Sequence, residues 1–208
     1  MAHKRFASVD ATFNRFKRIT ASALLILTVS TGAVMATIGP DTPGRLMGDL
    51  SRDLGLTSYQ AAGIVGNFSV ETGGFKHQQE LAPTVPGSRG GYGMAQWTGS
   101  RRVALEAHAA SMGLPVSSYE AQYSYLLKEL NGPYAGVLRD MQNAASVEEA
   151  AHIFMKRFEV PGVEHWDKRL AEAMKAANGD FGSMSGGGIG GSSESIEWLE
   201  LNLMPWKA

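Results

Sequence analysis

The chain has 208 residues, 44% of them hydrophobic, and a formal charge of -1. That length suggests one domain with appendages, the apolar share is enough for a packed core, and the charge argues against nucleic-acid binding by the bulk of the chain. No cysteine is present, which excludes disulfides, thiolate metal sites and cysteine-dependent peptidases or amidases.

The charge is unevenly placed. Residues 1–40 hold Lys4, Arg5, Arg15, Lys17 and Arg18 against Asp10, a balance of +4, which leaves -5 for residues 41–208. A basic N-terminal segment, 1–18, precedes 22 uncharged residues from Ile19 to Pro40, long enough to cross a bilayer as a helix. Basic residues before the run and none directly after it predict a cytoplasmic N-terminus with the rest of the chain outside. The run is weakly apolar, because Thr20, Ser22, Thr28, Ser30, Thr31, Gly32, Thr37 and Gly39 dilute Leu24, Leu25, Ile26, Leu27 and Val29. Val34-Met35-Ala36 also offers a small-residue cleavage site. A cleaved signal peptide, a permanent anchor and a weak signal-anchor that later leaves the membrane are all compatible with residues 19–40.

Thr42-Pro43 opens a helix with Leu46, Met47, Leu50 and Leu54 that stops at Gly55. Thr57 and Gln60 have capping-box spacing, so a second helix starts at Ser58, with Ala61, Ile64, Val65 and Phe68 as its buried stripe. Glu71 follows on the face of that stripe and should be desolvated, which disfavours its charged form and suits a general acid. Gly73 and Gly74 end the helix and admit close backbone approach. From Thr72 to Thr98 periodicity gives way to a glycine- and proline-rich loop or small sheet, a length that is usually functional in a compact domain.

Helical periodicity returns at Ser100 with Leu105, Ala109 and Met112. Ser117 and Glu120 mark the next start, with Tyr123, Leu126, Leu127 and Leu130 behind them up to Gly132-Pro133. Ser146 and Glu149 open a helix carrying Ala150, Ala151, Phe154 and Phe158, closed by Pro161. A last helix near 164–177 should bury Trp166, Leu170, Ala173, Met174 and Ala177. The domain, 41–181, is thus expected to be mainly α (α+β), a helical body with a small β or loop element. Residues 182–193 hold six glycines and four serines and read as a linker. The tail 194–208 is amphipathic and suits docking on the domain, a partner or a membrane surface.

Read through to Trp97, the chain resembles the phage tail lysozyme family of the lysozyme-like superfamily. The resemblance rests on Gly55-Leu56-Thr57, Gln60 to Asn67, Glu71-Thr72-Gly73-Gly74-Phe75, Gly91-Tyr92-Gly93-Met94-Ala95-Gln96-Trp97-Thr98-Gly99 and Arg101-Arg102. Phe158-Glu159-Val160-Pro161 and Arg169 match more weakly. It implies a lysozyme-like helical fold with a cleft, cleavage of the peptidoglycan glycan strand, and Glu71 as catalytic acid.

Glycoside cleavage also needs a group that stabilises the cationic sugar or activates water. Glu80 lies nine residues beyond Glu71, a spacing at which phage-type lysozymes carry an aspartate; their threonine six residues further on is Pro86 here. Glu80 is therefore either the second carboxylate or a solvated loop residue, and in the latter case one acid suffices, as in lytic transglycosylases. Gln96, Trp97, Tyr92 and Arg101 are the expected glycan-binding residues, with Trp97 equally suited to anchoring the core and Arg101 to pairing with Glu159. His77 and Glu80 form the one metal-like pair in the loop; without a His-Glu-x-x-His motif, no metal and no cofactor are expected. The resulting expectation is a muramidase, most simply a phage endolysin at the host inner membrane with its catalytic domain in the periplasm. A lytic transglycosylase, a virion-associated lysozyme for cell entry and a non-catalytic glycan-binding protein are the alternatives.

Overall fold

The structure, a computed structural model, describes residues 36–83 and 85–185. Seven α-helices run through this part: α1 (Thr42–Leu54), α2 (Ser58–Thr72), α3 (Gly99–Ser111), α4 (Tyr119–Leu130), α5 (Ala135–Asn143), α6 (Val147–Phe154) and α7 (Trp166–Ala177). A π-helical turn, Met155–Glu159, continues α6, and a 3-10 turn, Phe181–Ser185, follows α7.

The fold is built around α2, against which α1, α6 and α7 pack. Its start is fixed as the spacing predicts: Thr57 Oγ1 accepts the Gln60 N–H, and Gln60 Oε1 accepts the Thr57 N–H. The Gln60 amide also donates to the Gln142 and Ala144 carbonyls, tying α2 to the end of α5. The single apolar stripe expected for α2 is replaced by burial all round, from Gln60 to Ser69. Two glycines make this possible. A Cβ on Gly63 would lie 2.7 Å from the Ala150–Ala151 backbone, and one on Gly66 only 2.4 Å from the Ala173 nitrogen. Bare backbone at these two turns lets α6 and α7 close on α2 from different sides.

Buried polar groups in this packing are paired. Asn67 Nδ2 donates to the Gly63 and Ala151 carbonyls, while its Oδ1 accepts from Arg169 on α7. On α7 the buried line is Arg169, Ala173 and Ala176, displaced from the expected Trp166, Leu170, Ala173, Met174 and Ala177. Close approach to Gly66 favours small residues, and a charged residue is accepted in the same line because Asn67 and Glu71 bond it.

Other boundaries shift for local reasons. The α4 cap is Ser118, whose hydroxyl accepts from the Ala121 N–H, one residue later than Ser117. The α6 cap is Ser146, as its spacing with Glu149 predicts. Helix α5 has no side-chain cap and gives no start signal, yet buries Val137, Leu138 and Met141. The expected small sheet reduces, among the described residues, to isolated bridges: Gln79 with Tyr92, Tyr92 with Trp97, and Thr37 with Ser118.

The last bridge bears on the N-terminal segment. Ile38 is buried in the core, and the Tyr119 N–H donates to the Ala36 carbonyl at 2.7 Å. Residues 36–40 thus pack with the helical unit, which leaves 19–35, 17 positions, for any membrane-crossing helix. Those positions, the basic segment 1–18 and the tail 194–208 lie outside the described residues, and among the described residues no helix is long and apolar enough to cross a membrane. At the other end Met184 is buried, so the start of the glycine-serine linker, 182–185, lies on the domain.

Candidate active site

Where α2 ends, the chain opens a cavity of about 560 Å³ between the helices and the 72–98 loop. Gly73, at φ +60°, supplies the left-handed residue that terminates α2, and the Gly74 N–H returns to the Ser69 carbonyl at 2.7 Å. Thr72 is buried, and its hydroxyl accepts the Phe75 N–H. The turn after Glu71 is therefore rigid, and the carboxylate projects from a fixed helix end into the cavity.

Glu71 does not sit in an apolar pocket. Its side chain is 20% exposed, and its Oε1 accepts from Arg169 Nη2 at 2.5 Å. Arg169 is itself only 2% exposed; its Nη1 donates to Asn67 Oδ1 at 2.9 Å and its Nε to the Glu164 carbonyl at 2.7 Å. A buried guanidinium anchored by Asn67 and the Glu164 carbonyl thus fixes one oxygen of Glu71.

Glu80, Gln96 and Arg101 also line the cavity, together with His77 and His165. Glu80 Oε2 accepts the Gly91 N–H at 2.7 Å, and its own N–H donates to the Gly91 carbonyl, so one carboxylate oxygen holds the loop closed. Gln96 sits at φ +44°, with its amide nitrogen donating to the Gly93 and Gln78 carbonyls. That leaves its carbonyl oxygen as the acceptor for a ligand.

Two expected binding residues are placed elsewhere. Trp97 is 1% exposed and does not reach the cavity; its indole N–H donates to Glu129 Oε2 at 2.8 Å, and its ring meets Tyr125 edge-on. Tyr92 bridges Gln79 and Trp97 and lies under the Arg102 guanidinium, away from the cavity lining. Tight packing around Gly93 holds the Trp97 ring inward, since a Cβ there would meet the Gln122 amide and the Trp97 ring within 3.0 Å. Arg101 lines the cavity, but its guanidinium is occupied by a bidentate pair with Glu129, both contacts at 2.8 Å, and lies 4.5 Å from the Phe158 ring centroid. The pairing with Glu159 that the sequence offered for Arg101 goes to Glu129 instead.

Glu159, which the sequence offered only as a weak family match and a partner for Arg101, stands in the site itself. It ends the π-helical turn, where the Val160 N–H reaches back to the Met155 carbonyl at 2.9 Å. Val160 then takes φ +48°, a left-handed conformation that is strained for a β-branched residue. Together they turn Glu159 into the cavity with Glu71. Its Oε1 is sealed from solvent and has no hydrogen-bond partner. Burial, reinforced by the negative charge of Glu71, pushes its carboxyl well above the ordinary carboxylate range, against the opposing pull of Arg101 and Arg169. Among the described residues, no cluster of three or more histidines and carboxylates able to hold a metal occurs.

A helical domain that sets acidic side chains around an open cavity, one of them at the end of its central helix, has the build of a lysozyme-type glycosidase. The family model described as phage tail lysozyme matches residues 46–179, and the chain belongs to that family. Among curated proteins, none matches it in sequence. Membership makes peptidoglycan the substrate class and glycosidic cleavage the general activity.

Proposed function

We propose that the protein is a muramidase that cleaves the peptidoglycan glycan strand with Glu71 as general acid, acting as a phage endolysin in host lysis. The observation that carries this reading is the fixed projection of Glu71 from α2 into a cavity large enough for sugar rings. Gln96 offers an acceptor for sugar hydroxyls or N-acetyl N–H groups, and Glu80 offers its second oxygen to a developing cationic sugar.

Product analysis with the full-length chain on purified peptidoglycan tests the assignment. Glu71→Gln should lower kcat at least about 100-fold, and a mutant as fast as the wild type would sink the reading. Reducing ends in the product would identify a hydrolase, and 1,6-anhydro ends a lytic transglycosylase. The transglycosylase reading draws support from Glu80, whose engagement with Gly91 leaves Glu71 without a wholly free carboxylate partner on the loop.

For localisation, we infer a weak anchor in residues 19–35 that holds the domain outside the cytoplasmic membrane until release. Seventeen weakly apolar positions stand at the short limit of the roughly 17–25 residues of a membrane-spanning helix. Fractionation with and without dissipation of the proton-motive force should move the intact chain from membrane to soluble fraction. Complete cleavage at Ala36 before dissipation would exclude the anchor.

A further inference from the structure

The proposed reaction poses a difficulty that the geometry itself answers. A general acid must be resupplied with a proton, yet one oxygen of Glu71 is taken up by the buried Arg169 guanidinium. Glu159 shares the same cavity and has the opposite environment. Its Oε1 is buried without a hydrogen-bond partner, and burial and the Glu71 charge raise its carboxyl well above the ordinary range, favouring the protonated form. Around it stand Glu71 from α2, Arg101 from α3, Glu129 from α4 and Arg169 from α7. Both arginines are engaged with other carboxylates, Arg101 with Glu129 and Arg169 with Glu71. The other titratable groups on the cavity wall are His77, Glu80 and His165.

The backbone reinforces the point. A π-helical turn and a β-branched residue at positive φ stand side by side at Glu159–Val160, both unfavourable by local criteria and both common where a side chain is aimed for function. Arg101 Nη1 donates to the Phe158 carbonyl at 3.2 Å and stacks on its ring, so α3 pins the turn that aims Glu159. The Trp97–Glu129–Arg101 cluster thus serves the site from behind.

We propose that Glu159 is the proton store of the cavity, passing a proton to Glu71 as Glu71 protonates the glycosidic oxygen. This rests on the reading of Glu71 as the acid. In the step, the O–H bond of Glu159 breaks, an O–H bond forms on Glu71, and the Glu71 proton passes to the leaving oxygen as the C1–O bond breaks. Glu159 is left as a carboxylate that feels the positive charges of Arg101 and Arg169, which stabilise it at that moment. The water that attacks C1 in hydrolysis, or the sugar 6-hydroxyl in transglycosylation, gives up the proton that restores Glu159. Glu159 acts through Glu71 and is a positioning residue in this sense.

The test compares wild type, Glu159→Gln, Glu159→Asp and Glu71→Gln in the full-length chain on soluble glycan oligomers. Glu159→Gln keeps the shape of the side chain but cannot release a proton. Its kcat should fall roughly 10- to 100-fold with KM unchanged. Its rate should decline at lower pH than that of the wild type, because no stored proton remains to recharge Glu71. A proton inventory in mixed light and heavy water should be curved for the wild type and linear for Glu159→Gln, a readout that a purely structural role would leave alone. Glu159→Asp keeps a titratable group and should restore part of the kcat and the curvature, which decides the matter should Glu159→Gln fail to fold. An inactive Glu71→Gln beside a Glu159→Gln with wild-type kcat and pH profile would overturn the proton store and leave the acid assignment intact. An active Glu71→Gln would instead overturn the acid assignment itself.

Discussion

On the helical side of the cavity, Glu71 is fixed by side chains: Arg169 bonds it, Asn67 bonds Arg169, and two main-chain carbonyls hold Asn67. On the loop side, Glu80 and Gln96 are fixed mainly by main-chain groups of the glycine-rich segment, Gly91 and Gly93 among them. The first arrangement is buried and depends on three helices meeting. The second is half-open and depends on local turns. Loss of one partner should therefore damage the helical side far more, because it strands a buried charge, whereas water can replace a lost contact on the loop side.

The largest expected effect comes from Arg169→Met, which leaves Glu71 unpaired and Asn67 without its donor. Chemical denaturation should show a loss of about 3 kcal/mol or more, and cell-wall clearing should fall with it. A mutant within about 1 kcal/mol of wild type would mean that the two sides do not differ as described. Gly66→Ala should follow, at about 2–3 kcal/mol, because its Cβ meets main chain of α7 and no side-chain rotation relieves the contact. Thermal unfolding measures it, and a smaller loss would show that α7 shifts freely on α2.

A smaller effect of opposite sign is expected at Glu159. The folded state holds its proton to higher pH than the unfolded chain, whose ordinary value is 4.5. Wild-type stability should therefore decline as pH rises above about 4.5 towards the raised folded value. Glu159→Gln does not titrate, so its advantage in Tm should grow across that window and vanish below it. The smallest effect belongs to Glu80→Gln on the loop side, about 1 kcal/mol or less, since an amide oxygen can still accept the Gly91 N–H. Its product profile sharpens the comparison further: unchanged kcat would assign Glu80 to loop closure alone.

Much of the helical side was legible in the chain. Thr57, Gln60, Gly73 and Gly74 mark both ends of α2 by rules that act within four residues, and so locate Glu71 within a turn. The Ser146 cap was legible for the same reason. Helix α5 was not, because its stability comes from Val137, Leu138 and Met141 meeting the core and not from any cap. The phase of α7 was misplaced because hydrophobicity favours Trp166 and Leu170, whereas the surface opposite demands small residues. Besides the weak family match, a charged residue four before Ala173 and seven before Ala176 was the available signal for Arg169.

Trp97 and Arg101 show the same divide. Their residue types suit sugar binding, but only the packed structure shows that Glu129 holds both. Local sequence thus determined both ends of α2, the start of α6, the glycine-rich loop and the position of Glu71, since caps, turns and periodicity are short-range. Tertiary structure decided which charges meet, which rings are buried and what stands beside Glu71. Those outcomes depend on residues far apart in the chain, such as Asn67 and Arg169, 102 positions apart, which find each other only when the helices pack.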